Sequence, residues 1–468
     1  MNENKVNLKK ASLYYFVGTL FNKGIGFITV PIFTRILTIE DYGIVTTYNS
    51  WVSMVTMIIS LALYMAVRAS FIDYKEKTND FLSVIQTFMC LFGCCFSAIV
   101  LVIAYLIPMN VNIGIVALCL IQSMAWALTE NLSMYFMMKY KYKARTAIMV
   151  LPNLISTIIS IIVIRYIITS DLYLGRIVPN AVIVFIFGLI ALIYGLRGSK
   201  IRFNKEYLSY ALKISVPLVL DGVALNILSQ ADRMMITMIR NSTESGVYGL
   251  VYNFSMIATV IITAFDGIWI PFFTNKMNEK KYSDINKFSA KYIEMITVTM
   301  LMVVLLGPEI LKLIATEVYW EGISIIPPIV LSNYIIFLYT MYVNIEHYHK
   351  KTVFISINTA IAAVVNVLLN LFFINQWGYV GAAYTTLISY TLSLILHYLY
   401  ARRLNRELFP LKQFLLPSLA VAVTVIIFYV FIDIWYVRWI IAVMWLLYIV
   451  IKEKDFLLKF IRRNNENK

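Results

Sequence analysis

Charge is what this sequence has least of. Asp, Glu, Lys and Arg make up 14% of its 468 residues, against 60% hydrophobic. A soluble domain carries roughly 25% charged residues, and here no polar stretch exceeds about twenty residues, too short to fold around a core of its own. Lipid is therefore the main solvent. Cysteine is scarce too: Cys90, Cys94, Cys95 and Cys119 all lie in apolar runs. Cys90 and Cys94 are one helical turn apart, but no His or second pair completes a zinc set, so no metal site and no disulfide framework are expected. The three histidines, His347, His349 and His397, read as loop or span-end residues and not as ligands. No GxxxxGK[ST], HExxH or GxSxG occurs, and no large extramembrane domain is present to hold a transferase site, so no catalytic residue is expected and the chain reads as a non-enzyme. A cleavable signal peptide is not expected either, because the polar start "MNENKVNLKK" leads into an apolar run too long for a signal core.

What is present is a series of apolar runs of membrane-spanning length. Fourteen spans are predicted: 11–35, 43–68, 80–107, 112–138, 146–169, 174–196, 208–239, 246–273, 289–307, 324–345, 352–374, 379–400, 413–432 and 436–451. The fold class is all-α integral membrane. The net charge of +15 does not indicate a nucleic-acid partner, since the basic residues are spread over short loops without interleaved aromatics. They report orientation instead. Lys and Arg concentrate in alternate loops and at both termini, while the other side has only Arg35, Arg165, Arg176, Arg240, Lys312 and Arg438. That asymmetry places both termini in the cytoplasm. The segment 308–321 reads either as an outer amphipathic segment or as an extended span end.

The chain also repeats itself. At an offset of 206 residues, Tyr42-Gly43 falls on Tyr248-Gly249, Thr146 on Thr352, Gly175 on Gly381 and Arg197 on Arg403. Six spans per copy give both copies the same orientation, related by an axis along the membrane normal. The expected organisation is a six-helix lobe over 1–206, a second over 207–403, and helices 13 and 14 with a cytoplasmic tail over 404–468. Such lobes suit alternating access around a site near the midplane.

Buried polar residues mark candidate sites, because a charge at bilayer depth costs roughly 2.5–3.5 kcal/mol on insertion scales. Lys23 sits mid-span beside Asn22, on a face shared with Thr19 and Gly26. It either awaits an anionic substrate or pairs with Asp221, Asp232 or Asp266. In the seventh span Asn226, Gln230, Arg233 and Thr237 recur at helical spacing as a polar stripe facing the bundle interior. Arg233 either lines a cleft or is neutralised by Asp232 or Asp221. Glu130, with Gln122 and Ser133 on the fourth span, adds a buried acid. Asp221, Asp232, Asp266 and Glu130 are the candidates for coupling to H⁺ or Na⁺. No other cofactor is expected.

Three segments resemble a known family. "GFITVPIFTRILTIEDYG" in the first span and its exit, "QADRMMITMIRNSTESGVYGLVYN" between spans seven and eight, and "NQWGYVGAAYTTLISY" at 375–390 are similar to signatures of the bacterial polysaccharide flippases of the O-antigen and capsule type. That family belongs to the multidrug/oligosaccharidyl-lipid/polysaccharide exporter superfamily, and the resemblance covers essentially the whole chain. It implies movement of undecaprenyl-pyrophosphate-linked glycan repeat units across the bacterial plasma membrane by alternating access. It also implies membrane lipids, a polysaccharide polymerase and chain-length machinery as partners. A cationic cleft of Lys23 and Arg233, with Arg35, would take the pyrophosphate. The alternative is a cation-coupled drug or small-molecule antiporter of the same superfamily, whose cleft should be dominated by acids and aromatics. A membrane-embedded polymerase or ligase would need a larger outer loop, and an inert scaffold would leave the buried charges without purpose.

Overall fold

A computed structural model describes residues 29–107 and 112–452. Among the described residues there is no strand. Helical residues 29–36 lead into α1 (Ile39–Ser60), whose N-cap Thr38 accepts from the Asp41 amide. Leu61 and Ala62 then take left-handed backbone angles, φ 45° and 50°, so the span bends before continuing as α2 (Leu63–Asp73). Next come α3 (Thr78–Leu106), α4 (Ile113–Met138), α5 (Tyr142–Tyr166), α6 (Leu172–Arg197) and α7 (Lys205–Ile239). The remainder is α8 (Ser242–Ser255), α9 (Ile257–Asn278), α10 (Tyr282–Ile314), a 3₁₀ segment (Glu317–Ile325), α11 (Ile326–Tyr348), α12 (Thr352–Leu404), α13 (Lys412–Val430) and α14 (Trp435–Lys452).

The all-helical membrane class holds. Among the described residues ten helices are long and apolar enough to cross a membrane, or up to eleven if the bent pair Lys205–Val219 and Gly222–Ile239 is one span. The expected fourteen differ from this tally for identifiable reasons. Most of 11–35 lies outside the described residues, and 246–273 is divided between α8 and α9. The 53 residues of α12 would reach roughly 80 Å if straight, far more than a hydrocarbon core of about 30 Å. It is broken at Gly378, with φ 56° and ψ −140°, between the two spans expected there. At segment 308–321 the helix is extended, as one of the two readings has it: α10 runs through Pro308 to Ile314, and a 3₁₀ segment follows.

The chain forms two compact units that divide at Gly246/Val247, not at the repeat boundary of 206. The cause is α7. It lies antiparallel to α1 and is bonded to it by a ladder: Thr47 with Thr237 at 2.6 Å, Ser50 donating to Gln230 at 3.0 Å, and Ser53 donating to Asn226 at 2.7 Å. In the first unit, Phe81, Ile85, Met89, Leu128 and Leu132 form the core between α3 and α4. In the second, Trp269, Tyr292, Phe337 and Phe409 cluster as tilted and edge-on rings. The final helix is pinned to α10 by Arg438, which donates to the carbonyls of Leu305 (2.9 Å) and Phe431 (3.0 Å) and pairs with Glu309. His397, expected at a span end or loop, is instead buried within α12, with its Nδ1 2.9 Å from the equally buried Glu346. The pair explains its position, since a buried imidazole needs a hydrogen-bond partner.

Candidate functional site

The first unit contains an open-sided cavity of about 680 Å³ lined by α1, α2, α4, α5, α6 and α7. Its wall follows helical periodicity. On α4 the lining residues are Gln122, Trp126, Thr129, Glu130 and Ser133, one polar stripe on an apolar helix; on α5 they are Arg145, Met149 and Asn153, and on α6 Arg176 and Asn180. Asn49, Ser53 and Thr56 come from α1, Tyr64 from α2 just past the bend, and Asn226 from α7. A stripe of amides, hydroxyls and charges on spans this apolar is stable only facing an aqueous or ligand-filled interior.

Two guanidinium groups mark opposite ends of the cavity. Arg145 lies in the first turn of α5, its Nε donating to Ser133 at 3.4 Å. Arg176, near the start of α6, donates through one nitrogen to Thr157 and Ser160 of α5, both at 3.4 Å, and its guanidinium stacks 4.3 Å from the Phe33 ring. Measured along α5, the two are separated by roughly 20 Å at 1.5 Å per residue. No acidic side chain pairs with Arg176 among the described residues. Glu130 lies between them, one helical turn from Ser133, and opens into the cavity. Two further lining atoms, Thr56 Oγ1 and Asn180 Oδ1, are buried without a hydrogen-bond partner. Buried polar atoms left open in this way are satisfied by water or by a ligand.

Of the residues singled out in the sequence, Glu130, its span-mates Gln122 and Ser133, and Asn226 line this cavity. Asn226 and Gln230 are also engaged by the α1 ladder, and Gln230 further accepts from Arg233 Nη1 at 2.6 Å. Arg233 and Asp232 are buried but do not border the cavity. Arg35 is exposed and donates to the Pro31 carbonyl at 3.0 Å, within its own helix. Asp266 lies in the second unit and accepts from the Tyr292 hydroxyl at 3.3 Å. Lys23 and Asn22 lie outside the described residues, as does the side chain of Asp221. Arg145 and Arg176 were not anticipated as site residues, because each falls close to a span end and reads as a loop charge. The available signal was spacing: Arg145 and Asn153, and Arg176 and Asn180, repeat polar residues on one helix face.

Comparison with known proteins agrees with this architecture. The family model described as "Polysaccharide biosynthesis protein" matches residues 8–277. An Lsg locus protein of Haemophilus influenzae is 22% identical over 347 residues, covering 70% of this chain and 84% of that relative. Among solved structures, the lipid II flippase MurJ in an inward closed conformation superposes with a TM-score of 0.67 at 16% identity, covering 95% of this chain and 99% of that one. An inward-facing multidrug resistance MATE family transporter of the MOP superfamily gives 0.62 at 12% identity, covering 85% and 98%. At these identities the structural likeness shows a shared fold.

Proposed function

Because the chain belongs to the polysaccharide biosynthesis protein family, we propose that it is a lipid-linked glycan flippase that carries undecaprenyl-pyrophosphate-linked repeat units from the inner to the outer leaflet of the bacterial plasma membrane. The observation that carries this reading is the chamber of the first unit, with Arg145 and Arg176 at its ends and Thr56 and Asn180 left open in its wall. A glycan pyrophosphate offers charged phosphate oxygens to guanidinium groups and many hydroxyls to amides, while its polyprenyl tail stays in the bilayer. Guanidinium suits phosphate through its planar, multiple-donor geometry. With both termini cytoplasmic, Arg145 stands at the inner end and Arg176 at the outer end. The chamber opens inward to load and outward to release. Polymerase and chain-length machinery would consume the product outside. An organic-cation antiporter fits the same fold less well, because the two guanidinium groups repel its cargo.

Deleting the chain should leave lipid-linked glycan in the inner leaflet and remove surface polysaccharide. Arg176→Ala should lower export about tenfold or more at unchanged membrane level, since a charge-assisted hydrogen bond is worth about 1.5–3 kcal/mol. Arg176→Lys should restore part of it. Full export by Arg176→Ala, or unchanged surface polysaccharide on deletion, would overturn the reading.

A further inference from the structure

Glu130 is the unused group of the chamber. Among the described residues no hydrogen bond and no ion pair reaches its carboxylate, although it projects into the cavity from the C-terminal third of α4. The groups around it are few. Tyr64 of α2 is within electrostatic reach, and Arg145 of α5 and Arg176 of α6 line the same cavity. From α1 and α7 only amide, hydroxyl and apolar side chains reach the chamber, and α3 does not border it. An acid here is costly for a flippase of anionic head groups. Once cargo displaces water, Glu130 and the pyrophosphate are like charges in a low-dielectric space, and their repulsion opposes loading.

We propose that Glu130 takes up a proton as the chamber takes up its anionic cargo and gives it back when the cargo leaves, which makes this side chain the link between glycan export and proton movement. The inference rests on the flippase reading and names the group that regulates it. The proton comes from water at the open face and forms an O–H bond on the carboxylate; no other bond changes. A proton suits the site better than a metal cation. No group of three His, Cys, Asp or Glu side chains that could hold a metal ion occurs among the described residues, and no hydrogen bond fixes the Glu130 oxygens for coordination. A pyrophosphate diester carries two negative charges, so cargo plus one proton still moves one net negative charge outward. The inside-negative membrane potential favours that direction.

The test uses the full chain purified in detergent. The probe is undecaprenyl pyrophosphate bearing one N-acetylated hexosamine, a diester without an amine whose phosphates stay ionised through the neutral range. Wild-type protein should take up protons on binding it in weak buffer, and its affinity should fall with rising pH, approaching tenfold per pH unit above the titration point. Glu130→Gln should bind without proton uptake and with pH-independent affinity, and Glu130→Asp should keep the linkage. Equal proton uptake by wild type and Glu130→Gln overturns the proposal, as does a wild-type affinity that ignores pH. The latter result alongside lost export by Glu130→Gln would assign the carboxylate to an ammonium group on the glycan. A folded Glu130→Gln protein that binds nothing at any pH also overturns it. Failure of the wild type to bind the probe at all would instead overturn the flippase reading beneath it.

Discussion

Gly43 shows how little space separates the backbones where α1 begins. A Cβ built there would lie 1.7 Å from the carbonyl oxygen of Ser242, and one built at Gly246 would lie 2.5 Å from the carbonyl oxygen of Ile39. Both neighbours are main-chain atoms, so neither can turn aside as a flexible side chain would. The crossing therefore needs glycine on both strands of the contact, and it fixes the height at which Asn49, Ser53 and Thr56 face the chamber further along α1. Gly43→Ala should destabilise the protein by about 1–3 kcal/mol through overpacking, read as a lower melting temperature in detergent and a reduced membrane level. An unchanged melting temperature would mean that the two segments separate at no cost. Gly43 was visible in the sequence only as one half of a repeated Tyr-Gly pair. The steric reason for it needed the partner segment, which no local pattern names.

At the level of helices, hydropathy made the spans legible and left their partners hidden. The break in α12 was legible because the runs 352–374 and 379–400 are each of spanning length, although its seat at Gly378 was not. The stripe on α7 was legible as an inward face, yet Asn226 and Gln230 are engaged by hydroxyls of α1. Arg145 and Arg176 were hidden because a basic residue near a span end follows the same rule whether it faces water outside or a chamber inside. Arg438 was hidden for the same reason. It is buried, and three acceptors on α10 and the α13–α14 turn hold it, so it serves as the pin of the last helix. Arg438→Ala removes the guanidinium that ties Glu309 and the Leu305 carbonyl of α10 to the α13–α14 turn, leaving Glu309 with only the Trp439 indole N–H at 3.2 Å. Because Glu309 is partly exposed and keeps the Trp439 bond, the loss is that of charge-assisted hydrogen bonds, about 1.5–3 kcal/mol. The variant should melt earlier in detergent, with α14 the first helix to become accessible to protease. Wild-type stability of Arg438→Ala would show that the last helix is held by apolar contact alone.

For the whole molecule, the repeat and the compact units disagree about α7. Sequence similarity makes it the opening span of the second copy, whereas its hydrogen bonds place it in the first unit. That is a consequence of chemistry on one face: hydroxyls at Thr47, Ser50 and Ser53 meet Thr237, Gln230 and Asn226 in order. Neutral hydrogen bonds contribute about 1 kcal/mol net each, so a ladder of this kind holds one arrangement without locking it. A ligand whose affinities for two states differ by a few kcal/mol can shift the balance between them. If export requires the α1–α7 seam to open, a covalent rung should stop it. Thr47 and Thr237 are suited to the test, because their hydroxyl oxygens are 2.6 Å apart and a disulfide needs Cβ atoms within about 4.5 Å. With the four native cysteines replaced, Thr47→Cys with Thr237→Cys should export while reduced, lose export on oxidation, and regain it with reductant. Each single variant should be insensitive to oxidant. Full export by the oxidised double variant would show that α7 travels with α1 throughout the cycle, and that the chamber opens along another seam.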